Sequence, residues 1–161
     1  MTKTTSSTPQ MGIVSSEEAL KYSGKDLLLK MQAGELPYPP FVETMGIEFI
    51  TIEDGLAIFS MTPAFAYYNG LGCLHGGVIS TLLDTAMGCA VQSKVPQGLT
   101  YTTLEFKINF LRPIYEHTGP IRAEAHLIHM GRTTATAEAK LYDERRKIYA
   151  FGTTTCTIIR P

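Results

Sequence analysis

Asp84 is the only Asp, Glu, Lys or Arg between Asp54 and Lys94, and it lies within the stretch Asn69–Gly88, NGLGCLHGGVISTLLDTAMG. A lone carboxylate among apolar neighbours costs on the order of several kcal/mol to keep charged, or else it takes up a proton. Such a group is suited to act as a general base or a nucleophile. Upstream of it, His75-Gly76-Gly77 stands where the first free backbone N–H groups of a helix point. Glycine there permits close approach, and a helix N-terminus favours an anion or a polarised carbonyl oxygen. Donors aimed at an oxygen that gains charge form an oxyanion hole. Asn69 adds a side-chain amide on the same approach.

Plainer readings compete with this one. Paired glycines before a helix also make tight turns, and an isolated Asp in a helix also sits at the surface. Here the long apolar surroundings weigh toward burial. Gly70 and Gly72 suggest a dinucleotide fingerprint, but His75 occupies the third glycine position and no strand leads straight in. His126 and His129 are three apart on an expected strand and so face opposite ways, while His117 falls in a loop. No metal site is expected.

The elements that must position these residues are legible in outline. The chain has 161 residues, a formal net charge of −1, 44% apolar and 18% charged residues. That describes one domain with a real core and gives no electrostatic reason to expect nucleic acid or a membrane surface as partner. Most of the fourteen Lys and Arg lie from Lys94 onward, a weak pointer to an anion site in the second half. Cys73, Cys89 and Cys156 are odd in number without a CxxC spacing, as expected of reduced thiols in a cytoplasmic protein. MTKTTSSTPQ is unlike a signal peptide, and no run of about eighteen apolar residues suggests a membrane span.

Residues 1–14 read as a disordered leader and 15–161 as a single domain. SSEEALKYSGKDLLLKMQAG reads as helix with a Ser-x-x-Glu cap and a break at Ser23-Gly24, and LPYPPF as an extended connector. GIEFITIEDGLAIFSMT makes a hairpin about Glu53-Asp54-Gly55, and Val78–Val91 is the best helix of the chain. Four strands follow, the first alternating so that Leu104, Phe106, Ile108 and Phe110 share a face. Their connections are too short for parallel crossovers, so the sheet is antiparallel and curves around the one apolar helix. Val78, Ile79, Leu82, Leu83, Ala86, Met87 and Ala90 cover half of that helix. The other half carries Ser80, Thr81, Asp84, Thr85 and Gly88, small residues that suggest coverage by a second subunit.

The pattern N-x-L-G-x-L-H-G-G-x-x-x-x-L-x-D-x-A resembles the signature of the hotdog-fold acyl-CoA thioesterases, in their PaaI-type branch. The resemblance runs from about Leu36, through GELPYPPFVETMGIEF, FKINFLRP and MGRTTATAEAKLYD, to the C-terminus. It implies an α+β hotdog fold, an antiparallel sheet wrapped around a long central helix, here with an N-terminal helical leader. It also implies dimers or tetramers, and an acyl- or aryl-CoA as substrate with no cofactor beyond the coenzyme A it carries. Asp84 then matches the catalytic carboxylate, presented by one subunit into a site completed by the other, and Gly76 the backbone donor to the thioester carbonyl. Asn69 and His75 match loop residues beside the thioester, Thr103 a position that helps hold the attacking water, and Gly77, Arg112 and Arg132 substrate contacts. Two other readings stay open: a non-catalytic acyl-CoA-binding module, and a hydratase, which would normally pair its acid with a histidine.

Overall fold

The computed structural model describes residues 10–161. The part of the leader expected to be disordered that falls on residues 1–9 lies outside them. Residues 10–14 run beside the connector that holds Tyr38. The Gly12 N–H donates to the Tyr38 carbonyl at 2.8 Å, and the Tyr38 N–H donates to the Gln10 carbonyl at 3.1 Å.

Two serines set the leader's helices. Ser15 caps α1 (Ser16–Ala19) by accepting the Glu18 N–H, and Ser23 caps α2 (Gly24–Gln32) by accepting the Asp26 N–H. Each cap is worth about 0.5–2 kcal/mol. The break at Ser23-Gly24 follows, since one residue cannot cap a second helix while continuing the first. The connector is not extended throughout: Pro40–Thr44 turns into a short helix, α3, with Pro40 in the first turn. A proline there loses no hydrogen bond and brings its dihedral already set.

The hairpin forms as expected, β1 (Glu48–Glu53) and β2 (Leu56–Met61) turning at Gly55, whose φ is +74°. The central helix, α4, runs Gly76–Gln92. Then come β3 (Thr100–Phe110), β4 (Ile121–Met130), β5 (Thr134–Asp143) and β6 (Ile148–Ile159). All pairings are antiparallel, in one six-stranded sheet ordered β1-β2-β4-β5-β6-β3.

α4 lies in the hollow of this sheet, packed on β2, β4 and β5. Ala123, Ala125, Ala135, Ala137 and Ala139 make the floor beneath it, and Ile79, Leu82, Leu83, Ala86 and Met87 are its buried face. Alanines on the strands let the helix approach closely, and the larger helix side chains fill the hollow. Burying each Leu or Met is worth about 1.5–3 kcal/mol.

The leader docks on the far end of α4. The Gly24 N–H donates to the Val95 carbonyl at 2.9 Å, and a Cβ on Gly24 would stand 1.8 Å from the Gln92 carbonyl oxygen. Only glycine seats there. None of the described helices is long and apolar enough to cross a membrane.

Candidate active site

Asp84 is half-buried near the middle of α4, and its Oδ1 accepts a hydrogen bond from the Thr103 hydroxyl at 3.0 Å. A bulge makes this meeting possible. Thr103 pairs with Cys156 and Glu105 with Thr155, which leaves Leu104 as the extra residue of β3. The alternation expected through Leu104, Phe106, Ile108 and Phe110 is therefore broken. Leu104 is pushed out, 61% exposed, and Thr103 comes onto the helix-facing side that also carries Phe106 and Phe110.

Burial raises the Asp84 pKa above the ordinary 3.8, and the Thr103 hydrogen bond partly offsets this by favouring the charged form. Loss of that bond should raise the pKa further. If Asp84 must be ionised to act, Thr103→Val moves the acid limb of the pH–rate profile to higher pH. An unmoved limb would show that the pair does not set the carboxylate's charge.

The other polar groups on this face of α4 are already engaged. Ser80, Thr81 and Thr85 donate to the carbonyls of Gly76, Gly77 and Thr81, four residues back in each case. Asp84 is left as the side chain free to do chemistry. Coverage of the face also differs from expectation at its C-terminal half. Gly88 lies under Tyr101 of the same chain, since a Cβ there would stand 2.6 Å from the Tyr101 hydroxyl. Cys89 is next to this contact. Burial pushes its thiol up to about 12, with the Asp84 charge adding to the effect, so it is inert as a nucleophile at neutral pH. Burial likewise raises the Tyr101 phenol well above its usual range.

At the helix N-terminus His75 is the cap, and its Nδ1 accepts the Gly77 N–H at 2.9 Å. Its carbonyl accepts the Val78 and Ile79 N–H groups. The Gly76 N–H has no acceptor among the described residues and is the donor left over for a ligand. His75 thus arranges the helix start, and Gly77 supports it. Asn69 holds the preceding loop: its Oδ1 accepts from the Leu71 and Cys73 N–H groups, at 2.9 and 3.4 Å. That is an Asx turn.

Gly76 and Asp84 share a stripe of the helix, but they stand eight residues apart, about 12 Å at 1.5 Å per residue. A reacting carbonyl must lie about 3 Å from both donor and attacking group. One chain cannot supply both to the same carbonyl.

The two arginines expected to meet substrate also stand apart. Arg112 follows β3 at the end where α4 begins, and its guanidinium donates to the Ile148 carbonyl. It borders a cavity of about 690 Å³ whose other walls include Tyr115, His117, Arg145 and Lys147. Arg132 is exposed in the β4–β5 turn at the opposite end of the sheet. Arg145 and Lys147 had no sequence signal beyond the basic second half, and Tyr101 had only its place two residues from Thr103.

The sequence profile described as the thioesterase superfamily matches residues 71–150, from just before the helix N-terminus to the first residues of β6. The chain is 30% identical over 116 residues to the 1,4-dihydroxy-2-naphthoyl-CoA hydrolase of Listeria monocytogenes, covering 72% of this chain and 91% of that protein. The chain belongs to the thioesterase superfamily. Within it, the acyl-coenzyme A thioesterase PaaI of Escherichia coli is 31% identical over 108 residues, 67% of this chain and 74% of that one. The solved structure of the E. coli PaaI protein from the phenylacetic acid degradation operon superposes with a TM-score of 0.73 at 28% identity, over 85% of this chain and 95% of the other. The fold is therefore the hotdog of the PaaI-type thioesterases.

Proposed function

We propose that this chain hydrolyses acyl-CoA thioesters in a site assembled from two copies. The observation that carries the reading is the half-buried Asp84, with its raised pKa and its Thr103 hydrogen bond, on the same helix stripe as the unengaged Gly76 N–H. The midpoint between them is Ser80. Two copies of α4 crossing antiparallel near Ser80 set the Gly76 of each beside the Asp84 of the other. The small side chains of that stripe let the helices, or a thioester between them, come close.

In such a site the Gly76 N–H binds the thioester oxygen and draws charge from the carbonyl carbon. Asp84 either takes a proton from water, which then attacks that carbon, or attacks it directly. The tetrahedral oxyanion is held at the N–H, its collapse breaks the carbon–sulfur bond, and coenzyme A leaves as the thiolate and takes up a proton. In the direct route water then hydrolyses the acyl-aspartyl anhydride. The cavity beside Arg112 is at the same end of the fold as Gly76; Arg112, Arg145 and Lys147 outnumber the carboxylates of Asp143 and Glu144 in its walls, and that positive balance suits the phosphates of the coenzyme. Arg132, at the opposite end, suits them only in a second copy.

Release of free thiol from a panel of acyl-CoAs tests the activity. It also separates a hydrolase from a binding module or a hydratase, neither of which frees thiol. Light scattering at micromolar concentration should give a dimer or a dimer of dimers; a monomer that still hydrolyses thioesters would overturn the two-copy site.

A further inference from the structure

A second cavity, of about 360 Å³, opens on Asp84 from the side of the helix that the leader covers. Leu28 and Met31 of α2 and Phe41 and Val42 of α3 line it, facing Phe49 and Phe59 of the hairpin. Of the residues lining it only Asp84 carries a charge, and none is basic. Most of these walls come from residues before 71, where the match to the superfamily profile begins.

We infer that the leader, α2 and α3, together with the hairpin, forms the acyl pocket of this enzyme and selects an uncharged, apolar acyl group of medium size. The inference rests on the thioesterase reading above. A carbonyl held at Asp84 points its acyl chain into this cavity, because Asp84 is part of the cavity wall. The volume limits the chain. At roughly 30 Å³ for each heavy atom, about that of a water molecule in the liquid, the cavity takes about eight to twelve carbons, or a bicyclic aryl group. Its chemistry limits the chain as well. A second carboxylate, as in a succinyl group, would enter apolar walls with no cation to meet it and with the Asp84 charge nearby. Each methylene that the walls desolvate strengthens binding by roughly fourfold, so preference climbs with chain length until the cavity is full.

The test is the specificity constant of the intact protein for straight-chain acyl-CoAs from acetyl to palmitoyl and for succinyl-CoA. The expected profile rises to a maximum between octanoyl and dodecanoyl, with succinyl-CoA at least about a hundredfold below octanoyl-CoA. Met31→Trp fills the cavity and should lower the decanoyl-to-butyryl ratio at least tenfold. Phe41 is at the rim and 39% exposed, so Phe41→Ala folds even if the Trp variant does not. It should weaken decanoyl-CoA binding several-fold, read by calorimetry in an Asp84→Asn background that does not turn over. A protein that hydrolyses no thioester overturns the reading of the site itself. One that hydrolyses acetyl- or succinyl-CoA best, or whose profile ignores both substitutions, overturns the acyl pocket alone.

Discussion

Asp84→Asn is expected to lower thioester turnover by at least about a hundredfold, with acyl-CoA still bound and the fold at least as stable as before. The amide keeps the shape of the carboxylate and can still accept the Thr103 hydroxyl. It can neither take a proton from water nor attack the carbonyl. The stability half follows from the direction of the pKa. Burial raises the folded-state pKa of Asp84 above 3.8, so folding disfavours its charged form. The destabilisation is fully present above the folded-state pKa and vanishes below the unfolded value, where both states are protonated. Any gain in melting temperature should therefore be seen at neutral pH and fade as the pH falls toward 3.8. If Asp84 were structural, the variant would melt well below wild type; that result, or normal hydrolysis, would refute the catalytic role. In single turnover in 18O-labelled water, label in the Asp84 carboxylate demonstrates direct attack, because only an anhydride opened by water at its aspartyl carbonyl puts solvent oxygen there.

Gly76→Pro should cost a comparable amount of turnover through a backbone atom. Proline at the first position of a helix is well tolerated, and His75 before it already has ψ at 136°, as a residue preceding proline prefers. The substitution deletes the Gly76 N–H, which has no acceptor among the described residues. Losing an oxyanion donor typically lowers kcat by about 10²–10³-fold. Gly76→Ala is the matched control. Its Cβ meets the Phe110 ring at 3.3 Å, as that of proline does, but it keeps the donor. The difference between the two variants isolates the N–H. Equal losses would mean that the Phe110 contact, and not the hydrogen bond, is what the site cannot spare.

Much of this was readable from residue types and spacing, for physical reasons that differ by element. The central helix and the hairpin declare themselves through periodicity and a glycine turn, which are local. Asp84 stood out because charge in apolar surroundings is costly wherever the chain goes. Thr103 needed the family resemblance, because the geometry that brings it to Asp84 is a bulge at Leu104, and simple alternation puts it on the wrong face. The seating of Gly24 against the Gln92 carbonyl joins segments distant in sequence, and no local pattern in either announces it. The same holds for the leader's walls around the Asp84 cavity. Gly88 shows the limit of composition: a small residue on a helix face says that something comes close, and here it is Tyr101 of the same chain.

The edge strand β3 has a consequence for how the protein is made. It has eleven residues, pairs only with β6 among the described strands, and leaves Leu104, Phe106 and Phe110 between 42% and 61% exposed. An open edge of that length and character invites any other strand to add to it. Glu105 and Lys107 on its outer side are the charges that discourage the wrong ones. If the edge is covered by a second copy, stability depends on protein concentration, and dilution by itself lowers the melting temperature. A newly made chain is then most vulnerable after folding and before meeting its mate. Slow synthesis prolongs that interval, and high expression shortens it only while correct pairing outruns random association.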